Sequence, residues 1–201
     1  MPAQPKHEYS LEEYLEMDRQ SEARLEYWNG DIFDMTSAEE EHVNIEKNLL
    51  ASLTQRLPSS DCHFFPANTR LKVPSFPPYR YSDLSALCGE AEWETISGAE
   101  ILTNPALIIE VLSDVTEGYD RGEKFSHYKS IPSFSEYLLI AQHRPHITQY
   151  IKLDDRTWQQ REYNNLNDDL QIVLLNGEIP VRELYRNVTF KKTRPNLRPV
   201  E

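Results

Sequence analysis

The clearest indication of the fold class comes from residues 106–140, ALIIEVLSDVTEGYDRGEKFSHYKSIPSFSEYLLI. Residues 106–112 are apolar at odd and even positions alike except for Glu110, which is typical of a strand covered on both faces. The middle part, from about 118 to 130, predicts a helix, although two glycines lower its intrinsic helix propensity. The last part is again rich in Leu, Tyr and Ile, and predicts a second strand. A strand, a helix and a strand in this order indicate an α/β domain built in layers.

Toward the N-terminus the sequence predicts two helices with a hairpin between them. A Ser-x-x-Glu motif precedes each helix, at 10–13 and at 37–40, so that the serine hydroxyl can accept from a first-turn amide while the glutamate reaches back. The Asn-Gly pair at 29–30 favours a two-residue hairpin turn. We therefore expect helices at about 11–18 and 39–57, and strands near 24–28 and 31–35.

Most of the remaining chain reads as short strands bounded by Pro, Asn or Gly. We predict central strands in CHFFPA, TRLKVP, RYSDLSALC and ALIIEVLS. Further strands are expected in EYLLIAQ, HITQYIKL and TWQQREY, and a short closing helix in VRELYR. All of these elements fit one domain over residues 1–201, a usual size for a single hydrophobic core.

The charge distribution excludes a passive coat for nucleic acids. The net charge is −12, and such proteins bind phosphates with Lys and Arg. Residues 1–46 hold 13 acidic and 3 basic side chains, whereas residues 47–201 hold 20 and 18. The C-terminal tail, 186–201, carries five basic side chains up to Arg198, and is either a solvated tail or a local cationic surface. No apolar run could span a bilayer and the N-terminus is polar, so we expect a cytoplasmic protein without membrane contact.

Other common sites find no support in the sequence. Cys62 and Cys88 form no CxxC pair and are expected to be buried thiols, not a disulfide or a zinc site. The motifs GxGxxG, GxxxxGK[ST], GxSxG and HExxH are absent, which argues against a nucleotide cradle and a serine hydrolase. His143 and His146 flank Pro145, so a turn is expected there and not a metal clip.

Three charged residues do suggest chemistry. Glu110 interrupts an apolar strand, and an ionised carboxylate there needs a cation, a metal or several donors. Asp83 interrupts RYSDLSALC in the same way, and Lys124 lies on the helix that directly follows the Glu110 strand. Carboxylates are the ligands that Mg²⁺ prefers, and a lysine can orient or deprotonate an attacking water. The alternative is a structural Glu110–Lys124 ion pair with Asp83 capping a turn, and with Asp120 and Lys124 as an ordinary i,i+4 helix pair.

Three segments in this order closely resemble the Uma-two family of restriction-endonuclease-like proteins in the PD-(D/E)XK nuclease superfamily. They are YSLEEYLEMDRQSEARLEYWNGDIFDM, EEEHVNIEKNLLASL and LIIEVLSDVTEGYDRGEKFSHYKSIPSFSEYLLI, and the resemblance covers about residues 8–185. It implies a central mixed sheet flanked by helices. It also implies a metal-dependent endonuclease that cleaves DNA with Mg²⁺ or Mn²⁺, and association into a homodimer.

The resemblance assigns roles to individual residues. Asp83 and Glu110 take the places of the two metal-binding carboxylates, helped by the carbonyl of Val111. The superfamily usually has its catalytic lysine two residues after the glutamate, and this position is Leu112 here. In the family that this sequence resembles, a lysine on the following helix takes that role, and Lys124 matches it. Four further residues are auxiliary candidates: Glu41 as an outer acid, His42 as a site residue or a hydrogen-bonded core histidine, Asp120 as a partner of Lys124, and Arg121 as a phosphate contact. The alternative is a non-catalytic module that retains the fold and binds nucleic acid or protein.

Overall fold

The computed structural model describes residues 7–35, 39–56, 61–76, 78–114 and 116–190. The helices are α1 (Leu11–Gln20), α2 (Glu40–Arg56), α3 (Glu117–Tyr119), a π-helical stretch (Asp120–Lys124), α4 (Phe125–Tyr128) and α5 (Val181–Leu184). The strands are β1 (Leu25–Trp28), β2 (Asp31–Asp34), β3 (Cys62–Pro66), β4 (Arg70–Leu71), β5 (Arg80–Tyr81), β6 (Leu84–Cys88), β7 (Trp93–Ile96), β8 (Ala99–Leu102), β9 (Leu107–Leu112), β10 (Glu136–Ala141), β11 (Ile147–Lys152), β12 (Trp158–Tyr163), β13 (Asp169–Ile172) and β14 (Gly177–Pro180). No helix within the described ranges is both long and apolar enough to span a bilayer.

A six-stranded mixed sheet forms the centre, which confirms the predicted fold class. Its strand order is β12-β11-β10-β9-β6-β3. The two innermost strands, β9 and β10, are parallel and buried along their whole length, while the other neighbours pair antiparallel. Parallel neighbours need a long crossover, and here the helical residues 117–128 provide it. The stretch that follows Glu110 therefore returns across the sheet, as the sequence indicates.

Helices cover both faces of this sheet. On one face, Leu49 and Leu53 of α2 pack in one apolar cluster with Ile109 and Val111 of β9. On the other face, the crossover supplies a second cluster with Ile108 and Leu112 of β9; its aromatic members are Phe125, Tyr128, Phe134 and Tyr137. Because side chains alternate along a strand, Glu110 points toward the second face. The strand covered on both faces is thus observed, with its carboxylate on the crossover side.

Local signals at the N-terminus are confirmed where the structure describes them. Ser10 Oγ accepts from the amide of Glu13 at 3.2 Å, and the Glu13 carboxylate accepts from the Ser10 amide at 2.7 Å. Asn29 and Gly30 have φ values of 43° and 87°, as the tight hairpin turn between β1 and β2 requires. The corresponding motif at 37–40 lies partly outside the described residues, as does the basic tail beyond residue 190.

Several strand predictions are wrong in detail. The segment TRLKVP contributes only β4, which lies in a separate four-stranded sheet of order β5-β4-β8-β7 and not in the central one. The segment RYSDLSALC is two strands, because the chain bends at 82–83 between β5 and β6. The hairpins β7–β8 and β13–β14 were not predicted; Ser97 and Asn176, with φ values of 50° and 47°, are turn residues between their strands. Both residues precede a glycine, so Ser97-Gly98 and Asn176-Gly177 are turn signals that the sequence already contains.

The prediction of two buried thiols is also wrong. Strands β3 and β6 pair antiparallel in a register that sets Cys62 opposite Cys88, and the two residues form a disulfide. Cys88 is exposed. A separation of 26 residues along the chain says nothing about distance until the strand register is known, so this pairing could not be derived from spacing.

Candidate metal centre

The predicted carboxylates meet where β6 begins and β9 ends. Leu84 pairs with Ile109, and the same antiparallel register continued by one residue sets Asp83 opposite Glu110. A cavity of about 580 Å³ opens at this point. Among its lining residues are six of the predicted site residues: His42, Asp83, Glu110, Val111, Asp120 and Lys124. The fold therefore brings together residues from α2, the bend at 82–83, β9 and the crossover.

Glu110 and Lys124 form a buried ion pair at the base of the cavity. Each residue is only 3% exposed, and Lys124 Nζ lies 2.9 Å from Glu110 Oε1. The hydroxyl of Tyr128 donates to the same oxygen at 2.8 Å, and Asp120 Oδ1 lies 3.6 Å from the ammonium. Lys124 ends the π-helical stretch, a local widening of the helix that is frequent at functional sites. The ammonium and the Glu110 carboxylate are thus fixed relative to each other.

Asp83 is fixed from two sides. Its Oδ2 accepts from the amide of Val111 at 2.6 Å, and its Oδ1 lies 3.2 Å from His42 Nε2. The first contact ties the bend to the end of β9, next to Glu110. The second ties it to the first turn of α2. Because the charge of a carboxylate is concentrated on its oxygens, both contacts stabilise the ionised form.

Glu46 belongs to this group, although the sequence analysis did not single it out. Its Oε1 lies 3.6 Å from His42 Nε2, and among the described residues it has no hydrogen-bond partner although it is buried. The ligand atoms of His42, Glu46 and Asp83 all lie within 4.8 Å of one another. The signal was present in the sequence, since positions 42 and 46 are one helical turn apart and share a face.

Burial and mutual charge shift the pKa values in this cavity. Burial raises the pKa of Glu110 to about 8 and also raises the pKa of Asp120. Burial alone would raise the pKa of Asp83, but the hydrogen bond and charge of His42 outweigh it and lower that pKa. Burial also disfavours the charged forms of Lys124 and His42, but the neighbouring carboxylates stabilise these charges by more than burial costs. The pKa of Lys124 therefore lies well above its ordinary value, and the pKa of His42 rises to about 10.

The raised pKa of His42 gives a pH prediction for the metal-free protein. An imidazole with a pKa of about 10, against 6.5 ordinarily, adds stability that is complete below pH 6.5 and is lost as the pH rises through 10. We expect an NMR titration to show His42 charged at pH 8 and titrating near pH 10. Changing Asp83 to asparagine should lower that midpoint, because one of its two carboxylate partners is removed. A His42 midpoint near 6.5 in the wild type would contradict the ion pair.

Two auxiliary candidates lie away from the cavity. Arg121 donates from Nε to Glu117 Oε1 and from Nη1 to Thr148 Oγ1, both at 2.9 Å, and does not line the cavity. Glu41 does not line it either. Asp120 does, and it pairs with Lys124 as expected.

The two histidines flanking Pro145 are also apart from the cavity. His143 Nε2 lies 2.9 Å from Asp114 Oδ1, and His146 Nε2 lies 3.1 Å from Glu162 Oε2. Over the ranges that the structure describes, the only cluster with metal-ligand spacing is that of His42, Glu46 and Asp83. The chain bends over residues 142–145 between β10 and β11, as the sequence predicts for this segment.

The mixed sheet, the helical crossover and the paired carboxylates define a restriction-endonuclease-like fold. A crystal structure described as a putative nuclease belonging to DUF820, from Anabaena variabilis, has the same fold. Its TM-score is 0.67 at 15% identity, and the match covers 89% of this chain and 98% of that one.

Sequence comparison then places the chain within a family. Residues 11–182 match the family model Uma2, described as "Putative restriction endonuclease", and the chain belongs to this family. Two similar proteins come from Synechocystis sp. strain PCC 6803, and both are described as uncharacterized. The protein slr1290 is 29% identical to this chain, and the match covers 94% of this chain and 97% of slr1290. The protein sll1609 is 31% identical, and the match covers 79% of this chain and 89% of sll1609. The family and fold are those that the sequence analysis expected.

Proposed function

We propose that this protein is a metal-dependent endonuclease that hydrolyses phosphodiester bonds in DNA, with Asp83, Glu110 and Lys124 as its catalytic residues. The observation that carries the proposal is the convergence of these three side chains in one cavity, with the lysine buried against a strand glutamate at 2.9 Å. Restriction-endonuclease-like families generally use a divalent metal ion, and the family assignment suggests nucleic acid as the partner.

The residues present fit a divalent cation. Glu46 Oε1 is buried without a hydrogen-bond partner in the described part of the chain, so this acceptor is available to a ligand. Asp83 would hold the ion together with Glu110 and the Val111 carbonyl. His42 and Glu46 would extend the donor set on the α2 side, with the metal displacing the proton from the His42 ring. Carboxylates suit Mg²⁺ and Mn²⁺, and the imidazole favours Mn²⁺ of the two. A bound ion would stabilise the negative charge that develops on the phosphate and acidify a water.

The chain itself supplies positioning and proton control. Lys124 is a buried cation that lines the cavity, where it can orient an attacking water or contact a phosphate oxygen. Tyr128 donates to Glu110 at 2.8 Å and to the Tyr81 carbonyl at 3.2 Å, so it ties the carboxylate to the end of β5. These contacts preorganise the groups before substrate binds.

Two parts of the proposal concern partners. A chain of net charge −12 needs local positive charge to hold a polyanion, and a bound cation beside Lys124 would provide it. Cleavage of both strands of a duplex requires two active sites, which a twofold homodimer would present. The homodimer is testable by light scattering coupled to gel filtration.

The test is a cleavage assay on supercoiled and single-stranded DNA with Mn²⁺, Mg²⁺ or EDTA. We expect cleavage with either metal, faster with Mn²⁺, and none with EDTA. The Glu110→Gln variant should be inactive, because the amide keeps the shape but not the charge. A matched control is Glu162→Gln, which changes an acid outside the cavity. Metal-independent cleavage, or full activity of Glu110→Gln, would refute the proposal, and DNA binding without any cleavage would favour the non-catalytic alternative.

A further inference from the structure

A second cavity, of about 330 Å³, adjoins the metal cavity. Three residues line both: Phe33, Met35 and Thr116. The other lining residues of this side cavity are Glu26, Trp28, Arg80, Tyr119 and Glu123. Its volume is at the lower end of the range of roughly 300–1,000 Å³ for small-ligand sites. A chemical group bound in the side cavity therefore lies next to a substrate bound at the metal centre.

Three of the eight lining residues of the side cavity are aromatic: Trp28, Phe33 and Tyr119. Trp28 and Tyr119 contact edge to face, with ring centroids 5.4 Å apart. Phe33, on β2, stands where the two cavities meet and is 48% exposed. An apolar ring this exposed at the mouth of a polar site is costly to hydrate, and stacking against a flat ligand would remove that cost. These features favour a planar occupant.

The charges of the side cavity disfavour a phosphate. Arg80 is 1% exposed and its Nη1 lies 2.5 Å from Glu26 Oε2, so the guanidinium is already neutralised. Glu123 adds a further negative charge to the wall. A second phosphate or another anion would be repelled here, whereas an uncharged polar ring would not.

Two residues that line the side cavity, Arg80 and Tyr119, carry buried polar atoms. Arg80 Nε and Nη2 and the hydroxyl of Tyr119 are buried and have no hydrogen-bond partner among the described residues. Nε and Nη2 are two donors on one edge of the guanidinium, a fork that matches paired acceptors. Because these atoms are closed to solvent, they can hydrogen-bond to a ligand only if the side chains that cover them move aside. An aromatic ring with acceptors on its edge fits both the apolar faces and these donors.

We propose that the side cavity binds a single unpaired nucleobase of the DNA strand held at the metal centre, stacked on Phe33. This rests on the proposed function and deepens it, because it names the substrate class. A base can enter the cavity only when it is unstacked and unpaired, so the preferred substrate is single-stranded or locally opened DNA and not an intact duplex.

The experiment measures binding of a fluorescent 12-nucleotide single strand by anisotropy, with Ca²⁺ in place of Mn²⁺ and gels to verify that the strand stays intact. The comparison strand has abasic sites at every position, and a paired duplex is the third ligand. Stacking of one base on an aromatic side chain corresponds to roughly fivefold or more in affinity. We expect the wild type to bind the base-containing strand at least about fivefold more tightly than the abasic strand or the duplex.

Phe33→Ala should remove this preference and leave abasic binding unchanged. Its matched control is Trp93→Ala, since Trp93 is 47% exposed on β7 and lines neither cavity. Thermal stabilisation of Phe33→Ala by Mn²⁺ should equal that of the wild type. If the wild type is stabilised by Mn²⁺ and binds DNA, but Phe33→Ala keeps the base preference, the base site is wrong and the nuclease proposal stands. If the wild type shows neither metal stabilisation nor DNA binding, both proposals are wrong.

Discussion

Exchanging Asp83 for asparagine is expected to abolish metal-induced stabilisation and DNA cleavage together. Asparagine can still accept from the Val111 amide, so the bend between β5 and β6 should keep its shape. The charge that would hold a cation between Glu110 and His42 is lost, however. Metal assistance supplies several kcal/mol of transition-state stabilisation, so we expect a fall in cleavage rate of about 10³-fold or more.

The effect on metal binding is measured by thermal unfolding. A saturating cation at about 100 times its dissociation constant adds roughly 2.7 kcal/mol, which raises the melting temperature of a protein of this size by about 5–10 °C. Asp83→Asn should show no rise. The control is Asp155→Asn, since the Asp155 side chain is 95% exposed and pairs with Lys152 at the surface. If Mn²⁺ or Mg²⁺ raised the melting temperature of Asp83→Asn as much as that of the wild type, Asp83 would not be a metal ligand.

Replacing Lys124 with methionine is expected to have the largest effect on stability. Above pH 8, where Glu110 is charged, the change leaves this buried carboxylate without its cation, and breaking one side of a buried ion pair typically costs about 3–5 kcal/mol. The melting temperature of the metal-free protein should fall by roughly 10 °C. Mn²⁺ should restore much of this loss, because it supplies positive charge beside the same carboxylate. Cleavage at a temperature where the variant is folded should fall by about 10²-fold or more.

A double variant separates the structural role of the lysine from its catalytic role. Lys124→Met with Glu110→Gln removes both buried charges, so it should be more stable than Lys124→Met alone and still inactive. Lys152→Met is the matched control, since its ion-pair partner Asp155 is 95% exposed and such a surface pair is worth at most about 1 kcal/mol. Cleavage by folded Lys124→Met at the wild-type rate would make this lysine purely structural.

The sequence predicts the site best where one residue contradicts its surroundings. Glu110 in an apolar strand requires compensation whatever the tertiary structure is, and Lys124 on the next element is a cation that could supply it. The capping residues at 10–13 and the turn at 29–30 are equally local, because their partners are within three residues. Signals of this kind do not depend on the rest of the fold.

Long-range packing decides what the sequence could not predict. Glu46 joins the cluster only because the first turns of α2 lie against the bend that carries Asp83. The disulfide depends on the register of β3 against β6, and the small sheets depend on edges that the central sheet does not use. Spacing sets His42 and Glu46 on one helical face, and turn residues mark the hairpins, but neither says which element lies opposite until the strand order is known.

The most direct test of the central claim is a crystal structure of the protein soaked with Mn²⁺, with anomalous differences measured for the metal. We expect an anomalous peak next to the carboxylate of Asp83, with Glu110 or the His42–Glu46 pair as the other protein ligands and Lys124 beside it. A protein that is saturated with Mn²⁺ but shows no peak at Asp83, and leaves the Glu110–Lys124 contact at its metal-free distance of 2.9 Å, would contradict it.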